Sequence, residues 1–419
     1  MNQNRPNSEP GSEPRSEPRS KSGSQQGQLN LGELDEQTLA HSAQLGELII
    51  DEIEQQGGKI PFIRYMELVL HAPGLGYYSA GAHKIGAAGD FITAPEISPL
   101  FSQCVARQCQ QVMADNGDMD ILEVGAGSGA MACEILRHLE KLDCLPAHYY
   151  ILDLSADLRE RQRTHLQQEL PQLIDRIIWL DALPEHFKGV VLANELLDAM
   201  PVHLVRFDPN QPTERYVGWD GERLTWCDGP LSDARLEGAV DQIFQSCGKD
   251  EFDDEYVSEI NLAAADWVRS IAAILEQGLV LLIDYGFPQR EYYIPERKEG
   301  TVMCHYRHQA HSDPLILPGL QDVTAHVDFT AIAESAMNAG LDVAGYTTQA
   351  HFLLGAGLMD VLAEVAESSS DQQQVMKAQA IKTLTMPHEM GELFKVIALT
   401  KALEPGLIGF SMLDARGRL

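Results

Sequence analysis

Apolar residues recur at helical spacing in the first patterned part of the chain. Between residues 34 and 70, four of them fall on one helical face: Leu39, Leu45, Ile49 and Ile53. The same pattern starts again after Pro61 and runs from Phe62 to Leu70. Two helices are therefore predicted before residue 70, and a third is predicted near 98–115.

Further along, short apolar runs alternate with helical stretches, which is the pattern of a parallel sheet with crossover helices. Five runs are predicted as strands, at 119–125, 148–154, 176–181, 189–195 and 278–286. The helices between them are predicted at 129–141, 155–169 and about 259–276. Two more strands are predicted, near 343–354 and 392–401, with a helix around 357–367 between them. The pattern predicts an α/β fold with a seven-stranded, mostly parallel sheet.

Two segments interrupt this alternation. The glycine-rich stretch 74–101 is long for a connection inside a compact domain, so we interpret it as a candidate lid. The stretch 215–226, "RYVGWDGERLTW", alternates around Asp220 and Gly221, which predicts a hairpin with a two-residue type I′ turn. This hairpin follows the fourth strand and is predicted to be an insertion into the sheet fold.

Charge and cysteine content narrow the class of protein. The chain has 62 acidic and 31 basic residues, and its formal charge of −31 disfavours nucleic acid as a partner. Seven scattered cysteines without a C-x-x-C pair argue against a disulfide framework or a zinc site and favour a reducing compartment. Since no apolar run reaches the length of a membrane span, we expect no stable membrane insertion and a cytoplasmic location.

The segment "ILEVGAGSGA" at 121–130 places three glycines between a predicted strand and a predicted helix: Gly125, Gly127 and Gly129. Such a turn lets the backbone approach a ligand closely. The same spacing satisfies the dinucleotide fingerprint G-x-G-x-x-A, ending at Ala130, so the glycines alone leave S-adenosylmethionine (SAM) and NAD(P) both open. Glu123 favours SAM, whose sulfonium and ammonium groups are cationic, over a pyrophosphate that a carboxylate would repel.

Acidic residues also follow the second and third predicted strands. Asp153 lies 24 residues after Gly129, where a carboxylate can bind the ribose hydroxyls of either cofactor; the alternative is a helix cap next to Ser155. Asp181 and Ala182 follow the third strand, at a position for adenine contacts, and the alternative for them is an ordinary loop.

The fourth strand ends in "ANELLDAMPVH", which brings Asn194, Glu195 and Asp198 to the C-terminal edge of the sheet. If a helix begins there, Glu195 and Asp198 share one face. Two carboxylates facing a pocket can hold a guanidinium by charge-assisted bidentate hydrogen bonds, while solvated or capping acids are the alternative. We predict these three residues as catalytic, with Asn194 also contacting the cofactor.

Five segments together resemble one family: "GDFITAPEISPLF" (89–101), "ILEVGAGSGAM" (121–131), "YILDLSADLRERQ" (150–162), "VLANELLDAMPVH" (191–203) and "DVTAHVDFTAI" (322–332). From about residue 35 to 400 the chain is similar to the MidA-like SAM-dependent methyltransferases, bacterial relatives of the mitochondrial complex I assembly methyltransferase. The resemblance implies a class I (Rossmann-like) methyltransferase fold with insertions covering the cleft, SAM as cofactor and protein arginine N-methylation. The implied acceptor is a partner protein such as a respiratory complex I subunit. The oligomeric state stays open, with a homodimer as one option.

From their positions and from the resemblance together, we predict cofactor binding by residues of the strand ends and the lid: Glu123, Gly125, Ala126, Gly127, Gly129, Asp153, Leu154, Asp181, Ala182, Asn194, Gly89, Asp90 and Thr93. On the same grounds, we predict substrate binding by Tyr78, Phe91, Glu96, His326 and Asp328. For His326 and Asp328, a hydrogen-bonded structural pair or a helix start is the alternative. No metal ligands are predicted.

These observations divide the chain into a disordered polar tail (1–30), a helical and lid region (31–115), a SAM-binding core (116–205), a hairpin and acidic insertion (206–258), and the remaining core (259–405) with a substrate-covering insertion at about 287–330. Two rival functions stay open. One is an NAD(P)-dependent oxidoreductase that uses the same glycine loop, and the other is a SAM-binding assembly factor without essential catalysis.

Overall fold

The computed structural model describes residues 35–80, 92–307, 309–366, 371–403 and 406–419, so the predicted tail lies outside the described residues. Within these ranges the strands are β1 Lys59–Pro61, β2 Asp120–Val124, β3 Tyr149–Leu152, β4 Ile177–Leu180, β5 Phe187–Asn194, β6 His203–Arg206, β7 Thr213–Trp219, β8 Leu224–Gly229, β9 Val257–Ile260, β10 Leu275–Phe287, β11 Met303–Tyr306, β12 Gln309–His311, β13 Asp322–Thr324, β14 Val327–Asp328, β15 Asp342–Thr348 and β16 Phe394–Lys401. The α-helices are α1 Glu36–Gln55, α2 Phe62–His71, α3 Ala94–Ile97, α4 Pro99–Asn116, α5 Ala130–Lys141, α6 Ala156–Glu169, α7 Arg235–Cys247, α8 Leu262–Ile274, α9 Gln289–Tyr292, α10 Phe329–Asn338, α11 Gln349–Gly355, α12 Leu358–Ala366, α13 Asp371–Thr385 and α14 Met390–Leu393.

The central sheet has the strand order β15-β16-β10-β5-β2-β3-β4, and β14 pairs with the end of β10. Strands β4, β3, β2, β5 and β10 are parallel, whereas β16 runs antiparallel to both of its neighbours. The predicted seven-stranded, mostly parallel sheet is confirmed. Strand β15 is shorter than the strand predicted at 343–354, because α11 begins after Thr348. The Thr348 side chain caps this helix by accepting a hydrogen bond from the His351 amide.

Helices cover both faces of this sheet, which explains the continuous apolar runs of its strands. Along β5, Val190 and Leu192 point to the side that carries α4 and α5. Val191 and Ala193 point to the side that carries α8 and α10. Among the described helices, none is both long and apolar enough to cross a membrane.

A second, antiparallel sheet is inserted between β5 and β10, in the order β1-β7-β6-β9 with β8 paired to β7. The predicted hairpin is confirmed, but the two-residue type I′ turn is wrong. Trp219 pairs with Leu224, which leaves a four-residue loop that begins at Asp220. The Asp220 carboxylate accepts hydrogen bonds from the backbone amides of Glu222 and Arg223, so the side chain stabilises a wider turn than the Asp-Gly pair predicts.

The N-terminal helical region joins this second sheet. β1, which lies between α1 and α2, pairs with β7 of the insertion, with Ile60 opposite Val217. Phe62 and Val69 of α2 share a buried cluster with Val202 and Val217. β1, α1 and α2 therefore pack with the inserted sheet, whereas α4, also within the predicted region 31–115, packs on the central sheet.

Glycine at position 189 is required by the spacing of two central strands. Gly189 of β5 lies opposite Asp120 of β2, and a Cβ at Gly189 would come within 1.9 Å of the Asp120 carbonyl oxygen. We expect Gly189→Ala to lower the free energy of unfolding by about 3 kcal/mol through backbone displacement. The matched control is Gly238 in α7, where a Cβ would have no neighbouring atom within 4 Å. Gly238→Ala should raise stability by up to about 1 kcal/mol in urea titrations, and equal losses in the two variants would contradict this account.

Candidate active site

A cavity of about 740 Å³ opens at the carboxyl ends of β2, β3 and β5. This is the edge at which parallel α/β sheets bind ligands. We call it the donor cavity. Its wall includes the glycine loop after β2, the turn after β3 and the segment after β5, so most of the predicted site comes together here.

The three loop glycines have backbone angles that side chains rarely adopt: φ is +74° at Gly125, +53° at Gly127 and +85° at Gly129. A Cβ on Gly125 would also come within 3.0 Å of a methyl carbon of Leu196. Gly125, Ala126 and Gly127 line the cavity. Gly129 does not, because it is the left-handed residue that begins α5. Its conformation, rather than a contact with the cavity, requires glycine.

Glu123 is buried at the inner end of the donor cavity, where the Tyr149 hydroxyl donates a hydrogen bond to it over 2.6 Å. Burial raises the pKa of Glu123 to about 7, and the bond from Tyr149 opposes that shift. A cationic ligand would favour the ionised carboxylate, so this wall is electrostatically suited to a positive charge.

Asp153 lies at the end of β3 with its carboxylate fixed by two donors. The Ser155 amide and the Gln162 side chain each donate to it over 2.9 Å. Gln162 also donates to the Gly127 carbonyl, which ties the acid to the glycine loop. The helix cap of α6 is Ser155, not Asp153, so the carboxylate stays directed at the cavity. Leu154, 87% exposed, forms part of the cavity mouth.

The predicted adenine contacts Asp181 and Ala182 are not part of the cavity wall, whereas Leu183 is. The Asp181 side chain is 90% exposed and forms an ion pair with Arg159 at 2.6 Å. The ordinary-loop alternative accounts for both residues in this structure.

The described part of the lid closes one side of the donor cavity. Thr93 and Glu96 line it, and the Ser128 hydroxyl of the glycine loop donates a hydrogen bond to Glu96. Glu96 therefore contacts the predicted cofactor loop as well as the lid. Gly89, Asp90 and Phe91 lie outside the described residues.

A second cavity of about 1040 Å³, the acceptor cavity, adjoins the first. Tyr78 and Glu195 line both cavities and mark their junction. The Tyr78 backbone is held by the Ser155 hydroxyl at 2.7 Å, and its own hydroxyl donates to Asp322 over 2.9 Å. Three carboxyl groups face the acceptor cavity: Glu195, Asp198 and Asp322.

Glu195 has the left-handed angle φ +51°, which is uncommon for a residue other than glycine. Its carboxylate accepts hydrogen bonds from the Asn194 side chain at 3.0 Å and from the Ala94 amide of the lid at 3.3 Å. Burial first, and then the nearby Asp198, raise the pKa of Glu195 to about 8. The side-chain oxygen Oδ1 of Asn194 lacks a hydrogen-bond partner among the described residues. Asn194 lines the donor cavity, so this oxygen can accept a hydrogen bond from a ligand.

Asp284, near the carboxyl end of β10, is a residue of the site that the sequence analysis did not predict. It stabilises the turn that follows β5. Its carboxylate accepts hydrogen bonds from the amides of Leu197 and Asp198, at 2.9 and 3.3 Å. Burial raises the pKa of Asp198, and burial with the charges of Asp198 and Glu195 raises that of Asp284. Tyr285, the next residue, lines the acceptor cavity. The rule that selected Glu195, a polar residue at the carboxyl end of a parallel strand, also applies to Asp284 and Tyr285.

His326 and Asp328 have different positions. His326 lines the acceptor cavity, and its Nδ1 lacks a partner among the described residues. Burial lowers the pKa of His326 to about 4, so the ring is neutral at physiological pH. Asp328 is the N-cap of α10, accepting from the amides of Thr330 and Ala331, and lines neither cavity. The helix-start alternative accounts for Asp328 in this structure, because its carboxylate is used to begin α10.

The donor cavity fits SAM better than a dinucleotide. Among the described residues, its wall contains acids and no lysine or arginine that could meet a pyrophosphate. Glu123, Glu195 and the free Asn194 carbonyl instead offer acceptors to sulfonium and ammonium groups. The described residues contain no group of three or more His, Cys, Asp or Glu arranged to hold a metal ion.

These cavities on a class I sheet define a SAM-dependent methyltransferase. Residues 104–347 match the family described as "Putative S-adenosyl-L-methionine-dependent methyltransferase", and the chain belongs to that family. A crystal structure of a Burkholderia thailandensis protein bound to S-adenosyl-homocysteine is similar, with 46% sequence identity, a TM-score of 0.87 and coverage of 93% of this chain and 100% of that one.

Curated relatives are more distant. The mitochondrial protein arginine methyltransferase NDUFAF7 of Danio rerio is 29% identical over 375 residues, covering 82% of this chain and 83% of its own length. The human protein of the same name is 28% identical over 379 residues, covering 82% and 80%. The predicted family, fold class and cofactor are confirmed, and the oxidoreductase alternative is set aside.

The conformation of Gly125 gives a test of the donor cavity. Gly125→Ala places a Cβ against Leu196 in the cavity wall and forces alanine into a left-handed angle. We expect SAM affinity in calorimetry to fall about tenfold or more, with a stability loss of roughly 1–2 kcal/mol.

The matched control is Gly117, which ends α4 at φ +76° with nothing near the position of a Cβ. Gly117→Ala should lose similar stability and keep SAM affinity. An equal loss of affinity in both variants would mean that strain alone, and not the cavity wall, explains the effect.

Proposed function

We propose that this chain is a protein arginine N-methyltransferase whose acceptor arginine enters the second cavity. The observation that carries the proposal is the set of carboxyl groups, Glu195, Asp198 and Asp322, in a cavity that shares Glu195 and Tyr78 with the donor cavity. The curated relatives named above carry the same activity in their names, which supports the assignment.

The chemistry of the acceptor cavity favours a cation. Among the described residues of its wall, three carboxyl groups occur and neither lysine nor arginine does. A guanidinium is planar and presents several N–H donors at once, so it can satisfy more than one carboxylate without losing its plane. Burial raises the pKa of Glu195 to about 8, so a cation is needed before this carboxyl group ionises near neutral pH.

In the proposed reaction, a guanidinium nitrogen would form a bond to the methyl carbon while the bond from that carbon to sulfur breaks. When bound, SAM supplies an electrophilic methyl sulfonium. Asp198 and Asp322 hold the guanidinium, and Glu195 lies at the junction of the two cavities. The transfer releases one proton from the attacking nitrogen, and the Glu195 carboxylate accepts it. The protein therefore contributes alignment, water exclusion and a proton acceptor.

Asn194 is proposed to hold both the cofactor and Glu195, since its amide nitrogen donates to the Glu195 carboxylate while its oxygen lies free in the donor cavity wall. The donor-cavity residues Glu123, Gly125, Gly127 and Asp153 are proposed to bind SAM.

We propose a respiratory complex I subunit as the first acceptor to examine, on the resemblance of the sequence motifs. Methylarginine mass spectrometry of cells with and without the chain would identify the acceptor. The alternative is an assembly factor that binds SAM without essential catalysis. A catalytically inactive variant that restores partner assembly would favour this alternative.

A cytoplasmic location is also part of the proposal, since all seven cysteines are unpaired thiols, as in reducing compartments. The names of the curated relatives place those proteins in mitochondria, so subcellular fractionation decides.

Removing one acceptor-cavity carboxylate should separate turnover from SAM binding. Asp198 and Asp322 line only the acceptor cavity. We expect Asp198→Asn and Asp322→Asn to lower kcat about 100-fold on an arginine peptide, because a charge-assisted contact worth about 3 kcal/mol is lost. SAM affinity by calorimetry should change less than about twofold.

Asp328→Asn is the control for these variants, since Asp328 is a partly buried acid that lines neither cavity. It should keep kcat near that of the unchanged protein once its folding is verified. If the Asp198 and Asp322 variants lost SAM affinity in parallel with kcat, the separate acceptor role would be untenable.

Arginine binding should become tighter as pH rises from about 6 to 8. Without a bound cation, Glu195 stays protonated up to its pKa of about 8, whereas a bound guanidinium requires the ionised form. Arginine itself stays charged throughout, so peptide binding releases a proton in this range and its affinity levels off above pH 8. Calorimetry in buffers of different ionisation enthalpy measures the released proton. Glu195→Gln should reduce the proton release, and a buffer-independent heat in the unchanged protein would contradict the assignment.

A further inference from the structure

The mouth of the acceptor cavity carries exposed apolar side chains from four separate segments. Five of them form what we call the apolar rim: Ile92, Met303, Val375, Met376 and Leu393. Their exposed fractions run from 37% for Met303 to 69% for Val375. Exposed large apolar residues that converge on one cavity are typical of a binding surface.

The rim has a structural basis in α13. Val375, Met376, Gln379, Ala380 and Thr383 fall on one face of this helix, and that face lines the acceptor cavity. Val375 and Met376 on this face are exposed, whereas the carboxyl-bearing residues Asp198 and Asp322 of the same cavity are buried. The cavity therefore changes from apolar at the mouth to acidic at its floor.

The size of the cavity indicates that more than one side chain enters. At about 1040 Å³ it lies at the upper end of the range for small-molecule pockets, and one arginine side chain fills only part of such a volume. The floor selects the cation, so the remaining volume and the rim are available to the residues that flank it in sequence.

We propose that the apolar rim selects acceptor arginines that are flanked by apolar residues, on an extended segment of the partner protein. This inference rests on the proposed arginine methyltransferase function and adds a substrate class to it. The acidic floor and the −31 charge of the chain disfavour an acidic segment. They favour a segment whose charge is that of the arginine and whose flanking residues are uncharged. Methionine side chains suit such a surface, because they are flexible and adapt to different apolar partners.

The test uses the full chain with S-adenosyl-homocysteine and two fluorescent peptides of equal length with one central arginine. One has leucine on both sides of the arginine, and the other has serine. We expect anisotropy titrations to show about tenfold tighter binding of the leucine peptide, which corresponds to about 1.4 kcal/mol. Met376→Glu should remove the preference for the leucine peptide, and Met376→Leu should retain it.

The matched control is Met359→Glu. Met359 is a methionine on α12 with 64% exposure, similar to the 66% of Met376, but it lines neither cavity. This variant should keep the leucine preference. Equal affinities of the unchanged protein for the two peptides, or equal effects of Met359→Glu and Met376→Glu, would overturn the inference.

Turnover of the same peptides with SAM separates the two proposals. If methyl groups are transferred to both peptides with equal kcat/KM and the affinities are equal, the rim proposal fails and the arginine methyltransferase proposal stands. If the leucine peptide binds preferentially but neither peptide is methylated, the rim is supported as a docking surface and the proposed reaction fails.

Discussion

The burial of like-charged carboxyl groups at the ends of two adjacent strands is the constraint on which the site depends. Parallel pairing of β5 with β10 places Ile283 opposite Asn194, so the residues that follow, Asp284 and Glu195, meet at one edge of the sheet. Amides of the turn after β5 donate hydrogen bonds to Asp284, while burial and the nearby Asp198 and Glu195 raise its pKa. Ionisation of these carboxyl groups therefore requires a nearby positive charge, which a cationic ligand can supply.

The second sheet and the N-terminal helices together position Tyr78 where the two cavities meet. β1 pairs with β7, and α2 follows β1 directly, so the inserted sheet positions α2. The amides of Tyr77 and Tyr78 bond to carbonyls of Val69 and Leu70 in α2, which fixes Tyr78 at the junction of the cavities. The insertion after β5 thus supports the site indirectly, through α2, and none of its residues lines either cavity.

Local patterns are sufficient to predict the sheet, its helices and the glycine loop, because hydrophobic runs and clustered glycines can be recognised within short stretches of sequence. Two predictions differ from the structure because a side chain forms hydrogen bonds that the sequence pattern does not show. Asp328 is drawn into a helix cap, and Asp220 widens its own turn. Asp322 could not be selected from sequence, because its role depends on Tyr78, 244 residues away. Asp284 could have been found, since it lies near the carboxyl end of the predicted strand 278–286, as Glu195 does in the strand 189–195.

The position of Glu195 between two cavities has a consequence for the order of events in the proposed reaction. Two cationic ligands side by side would repel each other, and a shared carboxylate offsets that repulsion once it is ionised. Ionisation of Glu195 by a ligand in either cavity therefore prepares the other for its own cation, which makes the two bindings mutually favourable. Transfer of the methyl group removes the positive charge of the sulfonium and adds a proton to Glu195. The sulfonium charge then no longer stabilises the ionised carboxylate, and a protonated Glu195 no longer attracts the methylated guanidinium, so the same carboxylate that assembles the reactants favours release of the products.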